Sequence, residues 1–227
     1  MAEKIDIDRL KFIHDFDLDA DNFQIYLTGI EDHPMDDYAE PGVEYRLANR
    51  FIKNLDMLTS IDEKRPILIS MKTCGGDVVE GMAIYDAIMS APNPTTIVNY
   101  THARSMSSII LQAANKRIMM PNSYFLFHEG DMSISGTMKH VKSGVTFDQL
   151  SNNTMLSIYS ERMKTTPDSK VKDWTIPRIQ KWIQEQMDKK EDVYLTAQDS
   201  VSWGFADEIF SDWSTVLDYT PYQKKLK

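Results

Sequence analysis

The sequence predicts an α/β domain built on a largely parallel sheet. Three observations carry this expectation. Short apolar or β-branched runs, such as residues 67–69 and 95–100, have the composition of strands. Apolar residues at helical spacing lie between such runs, the clearest series being Val43, Leu47, Phe51, Leu55 and Leu58. The two patterns alternate, as they do where parallel strands are joined by helical crossovers. No linker, low-complexity stretch or repeat divides the 227 residues, so one domain is expected.

Taken in order, residues 23–27 alternate and read as a strand ending at Thr28 and Gly29. A loop with Pro34 and Pro41 leads into the Val43–Leu58 stripe, one face of an amphipathic helix. The strand at 67–69 runs into Cys74, Gly75 and Gly76. A helix over about 79–91 turns Met82, Ile84, Ala87 and Ile88 inward and stops at Pro92. The strand at 95–100 is followed by a small-residue helix over 105–114 and a short strand at 118–120. Pro121 and Asn122 turn the chain into another strand, 124–127. Thr146, with Gln149 three residues on, has the form of a capping box and predicts the start of a long helix. The next helix begins near Pro177 and carries Ile179, Trp182, Ile183 and Met187 on one face. The last covers 196–203, with Asp199 at the box position and Gly204 as its stop.

Composition narrows the function. Acidic residues outnumber basic ones, 34 to 25, for a net charge of -9, which disfavours a nucleic-acid partner. The basic tracts at 170–172 and 224–227 are short and read as solvated surface. No apolar run approaches the ~20 residues that span a bilayer, so no membrane partner is expected. Residues 1–14 are charged throughout and lack a signal-peptide core. Cys74 is the only cysteine, which leaves neither a disulfide nor a thiolate metal site within one chain. A cytoplasmic protein without a metal or cofactor is the expectation. The 14 methionines sit mostly at apolar positions and read as core filler.

Three places can carry chemistry. Residues 73–77 join a strand to a helix through paired glycines, either as a tight turn or as a loop whose amides hold an oxyanion. Ser105 opens a helix, where a serine serves either as an N-cap or as a nucleophile. His128 closes the strand at 124–127 and is either a packed core residue or a general base. His14, His33 and His140 lie in polar stretches, whereas His102, three residues before Ser105, competes with His128 for the role of base.

The order of these pieces resembles a known family. Thr28-Gly29, Cys74 to Gly76, the run at 81–86, Ala103-Arg104-Ser105-Met106, Pro121-Asn122, His128, the segment at 192–197 and the one at 204–207 together resemble the proteolytic subunit of Clp proteases, the ClpP-type serine peptidases. The resemblance runs from about 23 to 209. It implies a ClpP/crotonase-type fold of repeated β-β-α turns, with a protruding handle helix. The implied division is an N-terminal segment 1–22, a peptidase domain 23–210 with its handle at about 134–188, and a tail 211–227. It implies Ser105 as nucleophile, His128 as base and Asp192 as the acid. The Gly76 and Met106 amides would form the oxyanion hole, and Asp77 and Val78 would flank the substrate. The implied enzyme is a self-compartmentalising serine endopeptidase acting on unfolded polypeptides without a cofactor. It would assemble as a homo-oligomeric ring, a heptamer or a tetradecamer, fed by an AAA+ unfoldase driven by ATP.

The chain departs from the family at several points, as a phage- or plasmid-borne copy would. Lys72-Thr73-Cys74 replaces Asn-Ser-Pro, Arg104 replaces a common Ala, and Ser107 a common Gly. Glu191 stands where an Arg usually precedes the acid, and the stretch from His128 to Asp192 is longer than usual, with the extra residues around 165–176. Three other readings are a crotonase relative acting on acyl-CoA thioesters, a catalytically silent ring subunit, and a phage head-maturation peptidase of the same fold. A signal-peptide peptidase relative would pair its serine with lysine and carry a membrane anchor.

Overall fold

A computed structural model of the protein describes residues 7–29 and 40–219. Pro34, His33 and the basic tail at 224–227 lie outside the described residues. The chain opens with α1 (Ile7–Phe16), where the sequence reading had only a polar segment, and a two-residue strand β1 (Leu18–Asp19). Then follow β2 (Gln24–Thr28), α2 (Tyr45–Ile61), β3 (Ile67–Thr73), α3 (Val78–Ser90) and β4 (Thr95–Arg104). The middle of the chain forms α4 (Met106–Leu111), β5 (Lys116–Met119), β6 (Tyr124–Phe127) and the long α5 (Met138–Thr165). It ends in α6 (Ile176–Lys190), β7 (Val193–Thr196), α7 (Ala197–Trp203), β8 (Glu208–Ile209) and α8 (Trp213–Val216).

The sheet runs β1-β2-β3-β4-β5-β8, with β6 paired to β4 and β7 paired to β6. All its pairs are parallel except β1 with β2 and β6 with β7. Strand β4 serves two neighbours along its length. Its first part, Thr96 to Asn99, pairs with β5, and its last three residues, His102 to Arg104, pair with β6. The switch coincides with a register shift between β3 and β4, where Met71 faces Asn99 but Thr73 faces Ala103.

Both faces of the central strands are covered, which is why β3, the first half of β4 and β5 are buried residue after residue rather than alternately. Ile67, Ile69, Met71, Ile97 and Met119 enter the main core under α2, α3 and α4. Leu68, Val98 and Ile118 point the other way and are closed over by Val216, Phe210 and Met120. The α2 stripe buries Leu47, Phe51, Leu55 and Leu58, each worth roughly 1.5–3 kcal/mol over leaving it exposed. Val43, expected on that helix face, instead precedes the helix and forms a lone parallel bridge to Gly76. No helix among the described residues is long and apolar enough to cross a membrane.

The long helix starts earlier than its sequence signal. Thr137 is the N-cap of α5, its side chain accepting the His140 amide, and Thr146 lies inside the helix with its hydroxyl donating to the Lys142 carbonyl. A threonine bonded back one turn can sit within a helix, so the box at Thr146 and Gln149 does not mark a start. The last cap is as the sequence implied: Thr196 accepts the Asp199 amide, and Gly204 ends α7 in a left-handed conformation at φ +85°.

Candidate active site

Sheet order brings the candidate residues together. Arg104, the last residue of β4, pairs with Leu126 of β6, and Phe127 of β6 pairs with Val193 of β7. Ser105 and His128 follow β4 and β6, and Asp192 precedes β7. All three therefore sit at the same edge of three adjacent strands, which lie about 4.8 Å apart. An aromatic cluster roots the middle strand. Phe125 and Phe127 pack on Phe205, at centroid distances of 4.6 and 5.3 Å, and on the buried ring of Tyr159 from α5.

Ser105 does not behave as a capping serine. It occupies the N-cap position of α4, yet its side chain makes no capping bond and its backbone stands at φ +52°, ψ -130°. A non-glycine residue held there costs of order 1–3 kcal/mol and persists only where neighbours over-determine it. Those neighbours are on hand. The Ser105 amide donates to the Leu126 carbonyl at 3.2 Å. The Ser105 carbonyl accepts both the amide and the hydroxyl of Ser108. Ser107 donates its hydroxyl to the Thr73 carbonyl at 2.8 Å and ties α4 to β3. The serines at 107 and 108 thus hold the turn that presents Ser105.

The paired glycines meet that turn closely. A Cβ on Gly75, at φ +93°, would lie 2.7 Å from the Arg104 carbonyl and 2.8 Å from the Ser105 Cβ. One on Gly76, at φ +145°, would strike the Val43 backbone. The bridge to Val43 uses the Gly75 carbonyl (2.6 Å) and the Asp77 amide (2.9 Å). In a parallel bridge of that kind the Gly76 N–H is directed to the opposite side. Met106, at the first position of α4, has no intrahelical acceptor for its own amide. Gly81 makes room for it, since a Cβ there would meet the Met106 side chain. Beside Ser105 the backbone thus offers two amides, those of Gly76 and Met106, without a hydrogen-bond partner among the described residues.

His128 Nδ1 lies 3.2 Å from Asp192 Oδ1, with the histidine side chain one-fifth exposed and the carboxylate about half. The other ring nitrogen, Nε2, is buried and has no hydrogen-bond partner among the described residues. Ser105 and His128 line one cavity of about 100 Å³ together with Val78, Met106, Phe147 and Asn152. An apolar groove of about 330 Å³ lies beside it, lined by Val79, Met82 and Leu150, with Val78, Ile109, Phe147, Ser151 and Met155 common to both. Asp192 is reached through a turn at Glu191, whose φ of +57° ends α6 and whose amide donates to the Met187 carbonyl at 2.8 Å. The stretch at 165–176 does not displace this end. It packs on α7 through the Lys170 amide to the Ser202 carbonyl and the Ser169 hydroxyl to the Trp203 carbonyl.

The remaining sequence candidates separate. Val78 lines the cavity, but the Asp77 carboxylate accepts the Glu80 amide as the N-cap of α3, and its own amide is committed to Val43. His102 does not line the Ser105 cavity; its Nε2 lies 2.7 Å from Glu40 Oε2. His14 and His140 are exposed. Sequence reasoning missed the Ser108–Tyr159 contact, hydroxyl to hydroxyl at 2.5 Å, which joins the Ser105 turn to α5 across 51 positions. A pair so distant leaves no local pattern to find.

The sequence profile of the Clp protease family matches residues 38–212, well over half of the chain. Among curated proteins, the chain is 29% identical over 172 residues to the ATP-dependent Clp protease proteolytic subunit 2 of Thermobifida fusca, covering 75% of this chain and 77% of that one. It is 29% identical to subunit 1 of Leifsonia xyli, covering 71% and 76% of the two chains. It is 28% identical to the proteolytic subunit of Streptococcus sanguinis, covering 75% and 81%.

Proposed function

This chain belongs to the Clp protease family and is a serine-type endopeptidase, and on that premise we propose that Ser105, His128 and Asp192 are its catalytic triad. The observation that carries the proposal is the Ser105 turn: a strained serine, free of any capping duty, sharing its cavity with a histidine that a carboxylate meets from behind. Strain at a residue without a structural task is a pointer to function.

In this reading His128 Nε2 takes the Ser105 hydroxyl proton as Oγ bonds to a peptide carbonyl carbon. The carbonyl oxygen gains negative charge and accepts hydrogen bonds from the Gly76 and Met106 amides. His128 then gives its proton to the amide nitrogen, the C–N bond breaks, and the new amine leaves. Water, deprotonated by His128, attacks the acyl group and releases the acid, restoring Ser105. Asp192 holds the Nδ1–H tautomer and stabilises the imidazolium formed in each half. The groove of Val79, Met82, Leu150 and Met155 supports an apolar side chain next to the scissile bond.

The substrate of this reading is unfolded polypeptide. The relatives are named proteolytic subunits of ATP-dependent proteases, and we extend that to this chain as a cytoplasmic homo-oligomeric ring, a heptamer or a stacked tetradecamer, served by an AAA+ unfoldase. The test is cleavage of an unfolded protein by wild type and by Ser105→Ala, each checked for assembly by light scattering. Degradation by wild type alone is expected. An assembled wild type that cleaves nothing would instead fit a silent ring subunit.

A further inference from the structure

Residues 40–43 run as a strap along the glycine loop at 74–77. The Val43 amide donates to the Gly75 carbonyl at 2.6 Å, the Asp77 amide to the Val43 carbonyl at 2.9 Å, and the Cys74 thiol to the Glu40 carbonyl at 3.4 Å. Contact is close enough that a Cβ on Gly42 would lie 2.5 Å from the Gly75 oxygen. The strap therefore fixes the peptide plane that aims the Gly76 N–H.

Its outer end is fixed by one side chain. Glu40 Oε2 meets His102 Nε2 of β4 at 2.7 Å, and Glu40 Oε1 meets Lys72 Nζ of β3 at 3.2 Å. These two partners flank the register shift between β3 and β4. His102 is largely buried, its ring packs on Tyr124 at 5.4 Å, and its Nδ1 is buried without a partner among the described residues. The Glu40 carboxylate is thus the polar contact that this imidazole makes. Lys72, in contrast, is half exposed, and its pairing in water is weak.

We infer that Glu40 and His102 are positioning residues for the oxyanion hole: through the strap, their pair holds the Gly76 amide in the place where negative charge develops. The inference rests on the catalytic reading above. It predicts a particular kinetic signature. A donor that matters only in the transition state lowers kcat and kcat/KM together when it is displaced and leaves KM alone. Loss of one oxyanion donor costs ~100- to 1,000-fold; loosening one is expected to cost roughly tenfold. Because the two residues act through one contact, the double variant is expected to lose no more than either single one.

The experiment uses the full chain as wild type, Glu40→Ala, His102→Ala, the double variant and the near-isosteric Glu40→Gln. Peptide hydrolysis is normalised to titrated active serine, and amide hydrogen exchange is followed across the glycine loop. Expected are a roughly tenfold fall in kcat at unchanged KM, non-additive losses, and faster exchange confined to the Asp77 amide and its neighbours. A titrated kcat within twofold of wild type in both alanine variants, or losses that multiply, would overturn the inference. So would unchanged exchange at Asp77, a readout that needs no activity. If an alanine variant fails to fold, Glu40→Gln carries both readouts. A wild type that neither cleaves nor titrates strikes the catalytic reading, while the exchange result still decides whether the pair holds the loop.

Discussion

His128 and Asp192 face each other across the end of the antiparallel β6–β7 ladder, one rung beyond the Phe127–Val193 pair, with Nδ1 3.2 Å from Oδ1. The ladder sets their separation, and the turn at Glu191 sets the direction of the carboxylate. Asp192→Asn keeps this shape but no longer favours the tautomer that leaves Nε2 free to take a proton. Because the carboxylate is about half exposed, its removal is expected to cost less than the ~10,000-fold seen for a buried acid in such a triad, about 100- to 1,000-fold in kcat. Steady-state peptide hydrolysis measures it, and a loss under tenfold would contradict the proposed role of Asp192.

Gly75 faces Ser105 from the other side. At φ +93°, with the Arg104 carbonyl 2.7 Å from where a Cβ would be, it cannot take a side chain without moving the loop away from Ser105. Gly75→Ala is expected to lower kcat by at least ~100-fold, the scale of a lost oxyanion donor. Far-ultraviolet circular dichroism should remain that of wild type. Near-normal turnover would show that the loop plays no part in the reaction.

The fold below the site depends on one buried ion pair. Arg117 is fully buried and donates to both oxygens of Asp207, to Gln112, to Thr166 and to the Gly204 carbonyl. These bonds tie β5 to the end of α7 and to α5. Asp207→Ala leaves the guanidinium without its carboxylate and is expected to destabilise by about 3–5 kcal/mol. Urea unfolding measures this, and a cost under about 1 kcal/mol would contradict it.

Much of this was legible in the sequence, for reasons of range. Strands β2 to β6 and helices α3, α6 and α7 are marked by local composition, and Thr196 with Gly204 brackets α7 through contacts within a few residues. Ser105 and His128 stood out as candidates because one opens a recognisable helix and the other closes a recognisable strand, whereas Asp192 entered only through the family resemblance. The start of α5 was hidden because its first turns, from Met138 to Ser143, face solvent and show no apolar stripe, while Thr146 imitates a cap. Strands β1 and β8, at two residues each, are shorter than any alternation can reveal. The strap was illegible for another reason: Val43 continues the α2 spacing, and its bond to the loop at Gly75 is decided by tertiary contact. His102 resembled a base because it is three residues from Ser105, a proximity that β4 spends on Glu40 instead.

The C-terminal end adds a pH dependence. Tyr219 places its hydroxyl 2.6 Å from Thr96 Oγ1, and burial pushes its pKa from 10.0 up to about 12, although the Thr96 hydrogen bond pulls the other way. Since the folded value lies above the unfolded one, this contribution is fully present below about pH 10 and is lost as pH rises through about 12. Wild type should therefore lose stability more steeply over that interval than Tyr219→Phe, as read by denaturant unfolding at a series of alkaline pH values. Parallel curves would mean that the tyrosine is not held against the sheet.

Labelling of Ser105 by a fluorophosphonate tests the central claim most directly, because the probe reacts only with a serine whose proton a neighbouring base can take. The account predicts one label per chain, located at Ser105 by peptide mapping, absent from Ser105→Ala and slowed by at least ~100-fold in folded His128→Ala. A folded wild type that takes no label, or takes it equally well without His128, would contradict it.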